Sequence, residues 1–150
     1  MTHVVSPATG EVKAISTASD PVFAEGAVGD GVAIYPDAQS DSLTVYAPVA
    51  GKAIRVMPHA FVIMTEDKKG ILVHVGIDTV ELKGEGFDVH AEQKSQVEVG
   101  QPMVTCSPAF ITEKGLDPVI LVVQMDSEKD SLSNKASGPT TPGEPLFTTA

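Results

Sequence analysis

Glycine and proline recur along the whole chain, 13 and 11 of them in 150 residues, and nowhere gather into a single linker. Such punctuation leaves little room for long helices, because proline breaks the helical ladder and glycine weakens it. The intervening segments are short and rich in β-branched residues, which suit a pleated, half-buried surface. Strands are expected at residues 10–15, 32–35, 43–47, 52–56, 60–65, 71–75, 102–105 and 119–125. Helix signals amount to one or two turns. Ser107 reads as an N-cap, Pro108 as the first helical residue and Gly115 as a stop, and residues 127–135 offer a further short turn. Ser6-Pro7-Ala8-Thr9-Gly10 is similar to Ala47-Pro48-Val49-Ala50-Gly51, and Gly100-Gln101-Pro102 to Gly143-Glu144-Pro145. Each puts a Pro/Gly turn at the entrance to a strand. The expected fold is all-β: an antiparallel β-sandwich or flattened barrel built from related halves, one domain over residues 1–150.

The charge balance limits the partners. Twenty acidic residues outnumber ten basic ones, a net −10 at neutral pH, whereas affinity for phosphate backbones comes mainly from lysine and arginine. Nucleic acid is therefore not an expected partner. Hydrophobic residues make up 42% of the chain, too many for a disordered acidic tail. Aromatics are only 5% and tryptophan is absent, so the core rests on Val, Ile, Leu, Ala and Met. Cys106 is the single cysteine and no zinc-type Cys/His spacing exists, which points to a reducing compartment. The first residues lack the basic and long apolar regions of a secretory signal. The longest apolar stretch, residues 118–123, is far short of the roughly 20 residues a spanning helix needs. A cytoplasmic protein without direct membrane insertion is expected.

Four histidines, His3, His59, His74 and His90, are the candidates for chemistry. His74 lies in the apolar run Ile71-Leu72-Val73-His74-Val75, and His59 in Pro58-His59-Ala60-Phe61. Between them Glu66-Asp67-Lys68-Lys69-Gly70 reads as a hairpin loop. A strict ladder centred on Lys68 sets His59 opposite Ile77, so contact with His74 requires another register or a bulge. An imidazole in such a place is either a core residue satisfied by backbone groups or a neutral nucleophile. In the second case one nitrogen is fixed by a hydrogen bond and the other is free, and burial favours that uncharged form. Zinc at His59 and His74, with Asp78 or Asp30, is the competing chemistry and would make a zinc-dependent hydrolase on a β-sandwich scaffold. HExxH and HxH are both absent, which gives that reading little support. No GxSxG elbow or P-loop ending is present, and Val28-Gly29-Asp30-Gly31 reads most simply as a turn carrying one acid. A biotinyl or lipoyl carrier would need an MKM or DKA lysine motif, and none occurs.

Five stretches then point to a family: Asp20-Pro21-Val22-Phe23-Ala24, Val28-Gly29-Asp30-Gly31, Ala47-Pro48-Val49, His59-Ala60-Phe61 and the long run His74-Val75-Gly76-Ile77-Asp78-Thr79-Val80-Glu81-Leu82-Lys83-Gly84-Glu85-Gly86-Phe87. In order and in nearly the whole chain, the sequence resembles the glucose-type IIA component of the bacterial phosphoenolpyruvate-dependent sugar phosphotransferase system. Around Pro58-His59 it is most similar to free-standing actinobacterial members. The resemblance implies an antiparallel β-sandwich that acts as a phosphoryl relay. By that resemblance His74 takes a phosphoryl group on Nε2 from the phosphohistidine of the carrier protein HPr. It passes the group to a cysteine on the IIB domain of a sugar permease, driving uptake with phosphorylation. His59 supports the phosphoryl group and its onward transfer, while Asp30 and Asp78 flank the site and face basic residues of the partners. Val32, Phe61, Leu72 and Val80 either form an apolar docking patch or belong to the plain core, which periodicity does not separate. No cofactor is required on this reading, and zinc at His59 and His74 would be inessential. Regulated permeases or kinases are further implied partners. Met57-Pro58 stands where the family often has a threonine before its first histidine, and His3 and His90 match no required histidine.

Overall fold

The computed structural model describes residues 2–150. In chain order the elements are β1 (His3–Val5), β2 (Gly10–Ala14), a 3-10 turn (Ile15–Thr17), α1 (Pro21–Ala24), β3 (Gly29–Tyr35), β4 (Leu43–Tyr46), β5 (Gly51–Met57), β6 (Ala60–Met64) and β7 (Gly70–Ile77). They continue with a second 3-10 turn (Thr79–Leu82), β8 (Phe87–Val89), β9 (Gln96–Val97), β10 (Pro102–Cys106), α2 (Pro108–Glu113), β11 (Asp117–Met125), β12 (Gly138–Thr140) and β13 (Pro145–Thr148). Eight strands form one sheet in the order β12-β2-β3-β11-β7-β6-β5-β9, and smaller sheets are β4-β10-β8 and β1-β13. All the strand pairings are antiparallel.

One face of the large sheet and the inner faces of the two smaller sheets enclose the main core. Val32, Ile34, Phe61, Ile63, Val73 and Val122 from the large sheet join Val45, Met103, Leu146 and Phe147 there. The other face of the large sheet carries a second apolar cluster, in which Ala33, Ala60, Val62, Leu72, Leu121 and Val123 are covered by Ile15, Ala18 and Phe23. Strand β11 is thus buried on both sides, which explains why residues 118–123 read as an unbroken apolar run and not as an alternation. It also puts the segment containing α1 over the face where β7 presents His74. Asp20 caps α1 by accepting from the Val22 N–H at 2.9 Å, with Pro21 at the first helical position.

All eight expected strands are present, with several bounds coinciding and the others within about three residues. Five strands lie outside those ranges: β1, β8, β9 and β12 have two or three residues each, too few for alternation to show, and the four-residue β13 is signalled only by the Pro/Gly turn at its entrance. Helix α2 forms as read, with the Ser107 hydroxyl accepting from the Phe110 N–H at 3.1 Å. Residues 127–135 contain the further short turn, closed by the Ser131 N–H donating to the Glu128 carbonyl at 3.1 Å, after which Leu132 is buried and Ser133 bridges to Thr148. One expectation needs correcting. Gly29-Asp30-Gly31 is not a turn but the opening of β3. A Cβ on Gly31 would stand 2.1 Å from the Val122 carbonyl oxygen, so glycine there permits close approach of β3 to β11.

Asp30 itself is 1% exposed and its carboxylate lies 2.7 Å from the Lys135 ammonium, while also accepting from the Gly31 and Leu132 N–H groups. It anchors residues 127–135 to the end of β3. Truncating it removes the carboxylate from a cation and from two buried N–H groups. Asp30→Ala is therefore expected to lower unfolding free energy by about 2–3 kcal/mol, less than for a fully buried pair because Lys135 keeps 28% exposure. Urea denaturation of the variant checks this; a stability within about 0.5 kcal/mol of wild type would refute it.

Candidate functional site

The hairpin β6–β7 brings the two central histidines together. Thr65 N–H donates to the Lys69 carbonyl and Lys68 N–H to the Thr65 carbonyl, both at 2.9 Å, with Lys68 in the left-handed region at φ 64°. That is a tight turn closed by a left-handed residue, which makes a three-residue loop of Glu66, Asp67 and Lys68. The Asp67 carboxylate accepts from the Thr65 hydroxyl at 2.5 Å and the Thr2 hydroxyl at 2.9 Å. These bonds, Thr65 first, hold its acid down to about 2. The loop is shorter than the sequence suggested, so the ladder is centred one residue earlier than Lys68. Ala60 consequently pairs with His74, and the Val75 N–H donates to the His59 carbonyl at 2.7 Å. A different register, with no bulge in β6–β7, sets His59 beside His74.

His59 stands with Pro58 in the two-residue turn between β5 and β6, where Met57 pairs with Ala60. Its ring meets that of His74 edge-on, with centroids 5.4 Å apart and planes at 73°. Phe23 from α1 packs on the His74 ring with centroids 5.2 Å apart. The His74 Nδ1 lies 2.6 Å from the Gly76 carbonyl oxygen. A carbonyl only accepts, so Nδ1 carries the proton and Nε2 keeps its lone pair. Burial holds the His74 imidazolium below the ordinary histidine value, opposed by the Gly76 hydrogen bond and by the charges of Asp20 and Asp78, while His59 lowers it further. Burial likewise lowers His59. The pair is neutral at physiological pH, one ring presenting a free nucleophilic nitrogen.

The remaining candidates divide by strand parity. Leu72 shares the face of His74, and Asp78 and Val80 are exposed just beyond it, Val80 at 58%. Val32 and Phe61 do not line this face, contrary to the docking reading. Ala33 is in register with Leu121 and Leu121 with His74, so the neighbouring Val32 points to the other side. Phe61 alternates with Ala60 and Val62 in the same way. Each is 1% exposed in the main core. Asp30 shares the inward parity of Val32 and its carboxylate is spent on Lys135, so it does not flank the histidines as expected. The acid that does is Asp20, whose charge acts on His74 alongside that of Asp78. It lines a cavity of about 500 Å³ with Ser19, Asp78, Leu116 and Asp117. Asp20, the 53% exposed Val22 and Phe23 were missed as site residues. Asp20-Pro21 is a legible helix start, but nothing local says which face of the sheet that helix covers. For zinc, the described residues hold no group of three or more His, Cys, Asp or Glu disposed around a common point, so the two imidazoles lack the further protein ligand that zinc sites use.

Residues 2–130 match the family described as phosphoenolpyruvate-dependent sugar phosphotransferase system, EIIA 1. The chain belongs to that family. It is 35% identical over 150 residues to the glucose-specific EIIA component of Buchnera aphidicola, covering 99% of this chain and 91% of that protein. It is 39% identical over 131 residues to the glucose-specific EIIBCA component of Corynebacterium glutamicum, covering 86% of this chain and 19% of the relative. The chain thus spans about a fifth of the length of such multi-component relatives. Its fold is that of the glucose permease IIA from Mycoplasma capricolum, with a TM-score of 0.88 at 30% identity over 97% of this chain and 94% of that one. Membership makes the chain a phosphoryl-carrying component of the glucose-type EIIA kind, and the β-sandwich expected from the resemblance is the fold observed. No helix among the described residues is long and apolar enough to cross a membrane.

Gly76 adopts φ +79°, and a Cβ there would stand 2.4 Å from Thr79 Cγ2. Gly76→Ala is expected to cost about 1–3 kcal/mol and to release the His74 Nδ1 proton, visible as tautomer mixing in nitrogen-15 NMR. A stability prediction follows from the lowered histidines. Their ordinary value is 6.5, so below it the unfolded chain binds more protons than the folded one. Their contribution is complete above 6.5 and is lost as pH falls toward the folded-state values. Between about pH 7 and pH 5.5 the urea midpoint should fall further in the wild type than in His74→Gln; equal falls would count against a lowered His74.

Proposed function

We propose that His74 is the phosphoryl acceptor of this EIIA chain, taking the group on Nε2 from the phosphohistidine of HPr and passing it to a IIB cysteine of a sugar permease. The observation that carries this reading is the 2.6 Å bond from Nδ1–H to the Gly76 carbonyl, which leaves Nε2 free in a neutral ring. Phosphoryl transfer asks the protein mainly for in-line positioning and charge stabilisation. The Nε2 lone pair forms the new N–P bond while the donor N–P bond breaks, its electron pair returning to the donor imidazole. Nδ1 keeps its proton throughout, and the phosphorylated ring, now cationic, strengthens its bond to the carbonyl. His59, whose ring stands edge-on to that of His74, would donate a ring N–H to the phosphoryl oxygens. In the onward step a cysteine thiolate attacks phosphorus and His74 leaves as a neutral imidazole.

The docking face offers the exposed Val22 and Val80 beside the acids Asp20 and Asp78, with the buried Leu72 beneath it on the His74 side of the sheet. Together with the net charge of −10 it would steer partners presenting basic residues around their own reactive group. Regulatory binding of other permeases or kinases would use the same face and respond to the added phosphoryl charge. The work is cytoplasmic, needs no cofactor, and is done by residues 1–150 as one EIIA domain.

The test is intact mass after incubation with phosphoenolpyruvate, enzyme I and HPr. Wild type should gain one acid-labile phosphoryl group and His74→Ala none. His59→Gln should still gain it but transfer it to IIB slower by on the order of a hundredfold, as when a preorganised donor is removed. An unmodified wild type in the presence of HPr of proven activity, or a fully modified His74→Ala, would overturn the assignment.

A further inference from the structure

The bond from His74 to Gly76 depends on a carbonyl that a glycine, the most permissive residue, must hold in one direction. Thr79 supplies the restraint. It opens the 3-10 turn after Asp78, is 1% exposed, and its hydroxyl donates to the Val75 carbonyl at 2.5 Å. Val75 C=O and Gly76 N–H belong to one peptide plane, so this bond fixes the plane on the amino side of Gly76. On the other side, Thr79 Cγ2 fills the space that a Cβ on Gly76 would occupy, 2.4 Å from that position. Thr79 therefore grips Gly76 by a polar and an apolar contact. The methyl packs against the glycine, whereas the hydroxyl sets the direction of the plane that leads into the Gly76 carbonyl, which points toward His74 Nδ1. Asp78, left-handed at φ 61°, turns the chain back so that Thr79 reaches Val75.

We propose that Thr79 is a positioning residue for phosphoryl transfer: through the Val75 carbonyl its hydroxyl holds the Gly76 carbonyl against His74 Nδ1, and so keeps Nε2 as the free nucleophile. The inference rests on the reading of His74 as acceptor, but its first readout does not. Threonine is neither in contact with the phosphoryl group nor titratable, so its effect is on the tautomer and aim of His74. Partners that orient an imidazole from behind are commonly worth tenfold or more in activity.

Thr79→Val removes the hydroxyl and retains the methyl packing, while Thr79→Ser retains the hydroxyl and removes the methyl. Nitrogen-15 NMR of the histidines should show the single Nδ1–H tautomer of His74 in wild type and Thr79→Ser, and a tautomer mixture in Thr79→Val. Single-turnover phosphorylation by phospho-HPr should slow by roughly tenfold in Thr79→Val, with the HPr concentration dependence unchanged, and recover in Thr79→Ser. A folded Thr79→Val with the wild-type tautomer and rate would overturn the proposal. Should Thr79→Val fail to fold, Thr79→Ser decides, since a mixed tautomer in a folded serine variant would equally overturn it. An ordered tautomer in wild type and serine, mixed in valine, without phosphorylation of any, would support the positioning role and count instead against His74 as the acceptor.

Discussion

The pairing of Thr65 with Lys69 across a three-residue loop runs the length of the β6–β7 ladder and decides what meets at its far end. Two residues of slip, as a five-residue loop would give, keep the same side chains on each face but move His59 along β7 by roughly 7 Å. Rings now 5.4 Å apart would no longer touch. One residue of slip would be worse, because it exchanges the two faces of a strand. A surface turn stabilised by Asp67 and left-handed Lys68 therefore controls a site at the opposite end of the hairpin.

Two opposed electrostatic effects set the state of His74. Its surroundings are apolar, with Leu72 and Leu121 on its face and Phe23 against its ring. Desolvation therefore disfavours the imidazolium, whereas the Gly76 carbonyl and the charges of Asp20 and Asp78 favour it. Burial is the larger effect, so the resting ring is neutral and nucleophilic. The weaker groups are not idle. In the proposed transfer, a bond from Nε2 to phosphorus would make the ring cationic, and the carbonyl and the two carboxylates would then stabilise it. The same surroundings thus suit both the acceptor and the donor state, as a relay requires.

The acids illustrate how burial separates structure from site. Asp20 and Asp30 both sit next to residues of turn or helix-start type, and both fall in stretches that carry the family resemblance. Asp30 faces the inner side of the large sheet, where an unpaired carboxylate would be costly, and it is satisfied by Lys135 and Leu132. Asp20 caps α1 at the edge of the outer face and keeps a solvent-facing charge beside the histidines. Burial thus closes Asp30 to any partner and leaves Asp20 open to one.

The short-strand architecture, the Ser107 cap of α2 and the prominence of His74 were legible from residue order alone, because propensity, capping and an apolar run interrupted by one polar residue are local signals. The strands of two or three residues were not, since no pattern can repeat within them. Val32 and Phe61 could not be assigned to core or docking face because strands near the centre of the large sheet are apolar on both sides, and hydrophobicity then carries no parity. Parity came from register, and register from hydrogen bonds in the loop between β6 and β7. In the same way Asp20-Pro21 announces a helix without announcing where it lies. The sequence by itself determined the all-β class, the family and His74 as the candidate for chemistry. Only the tertiary structure decided which ring nitrogen is free, which histidine and which acid stand beside it, and which apolar residues a partner can touch, because each of these depends on contacts between segments distant in the chain.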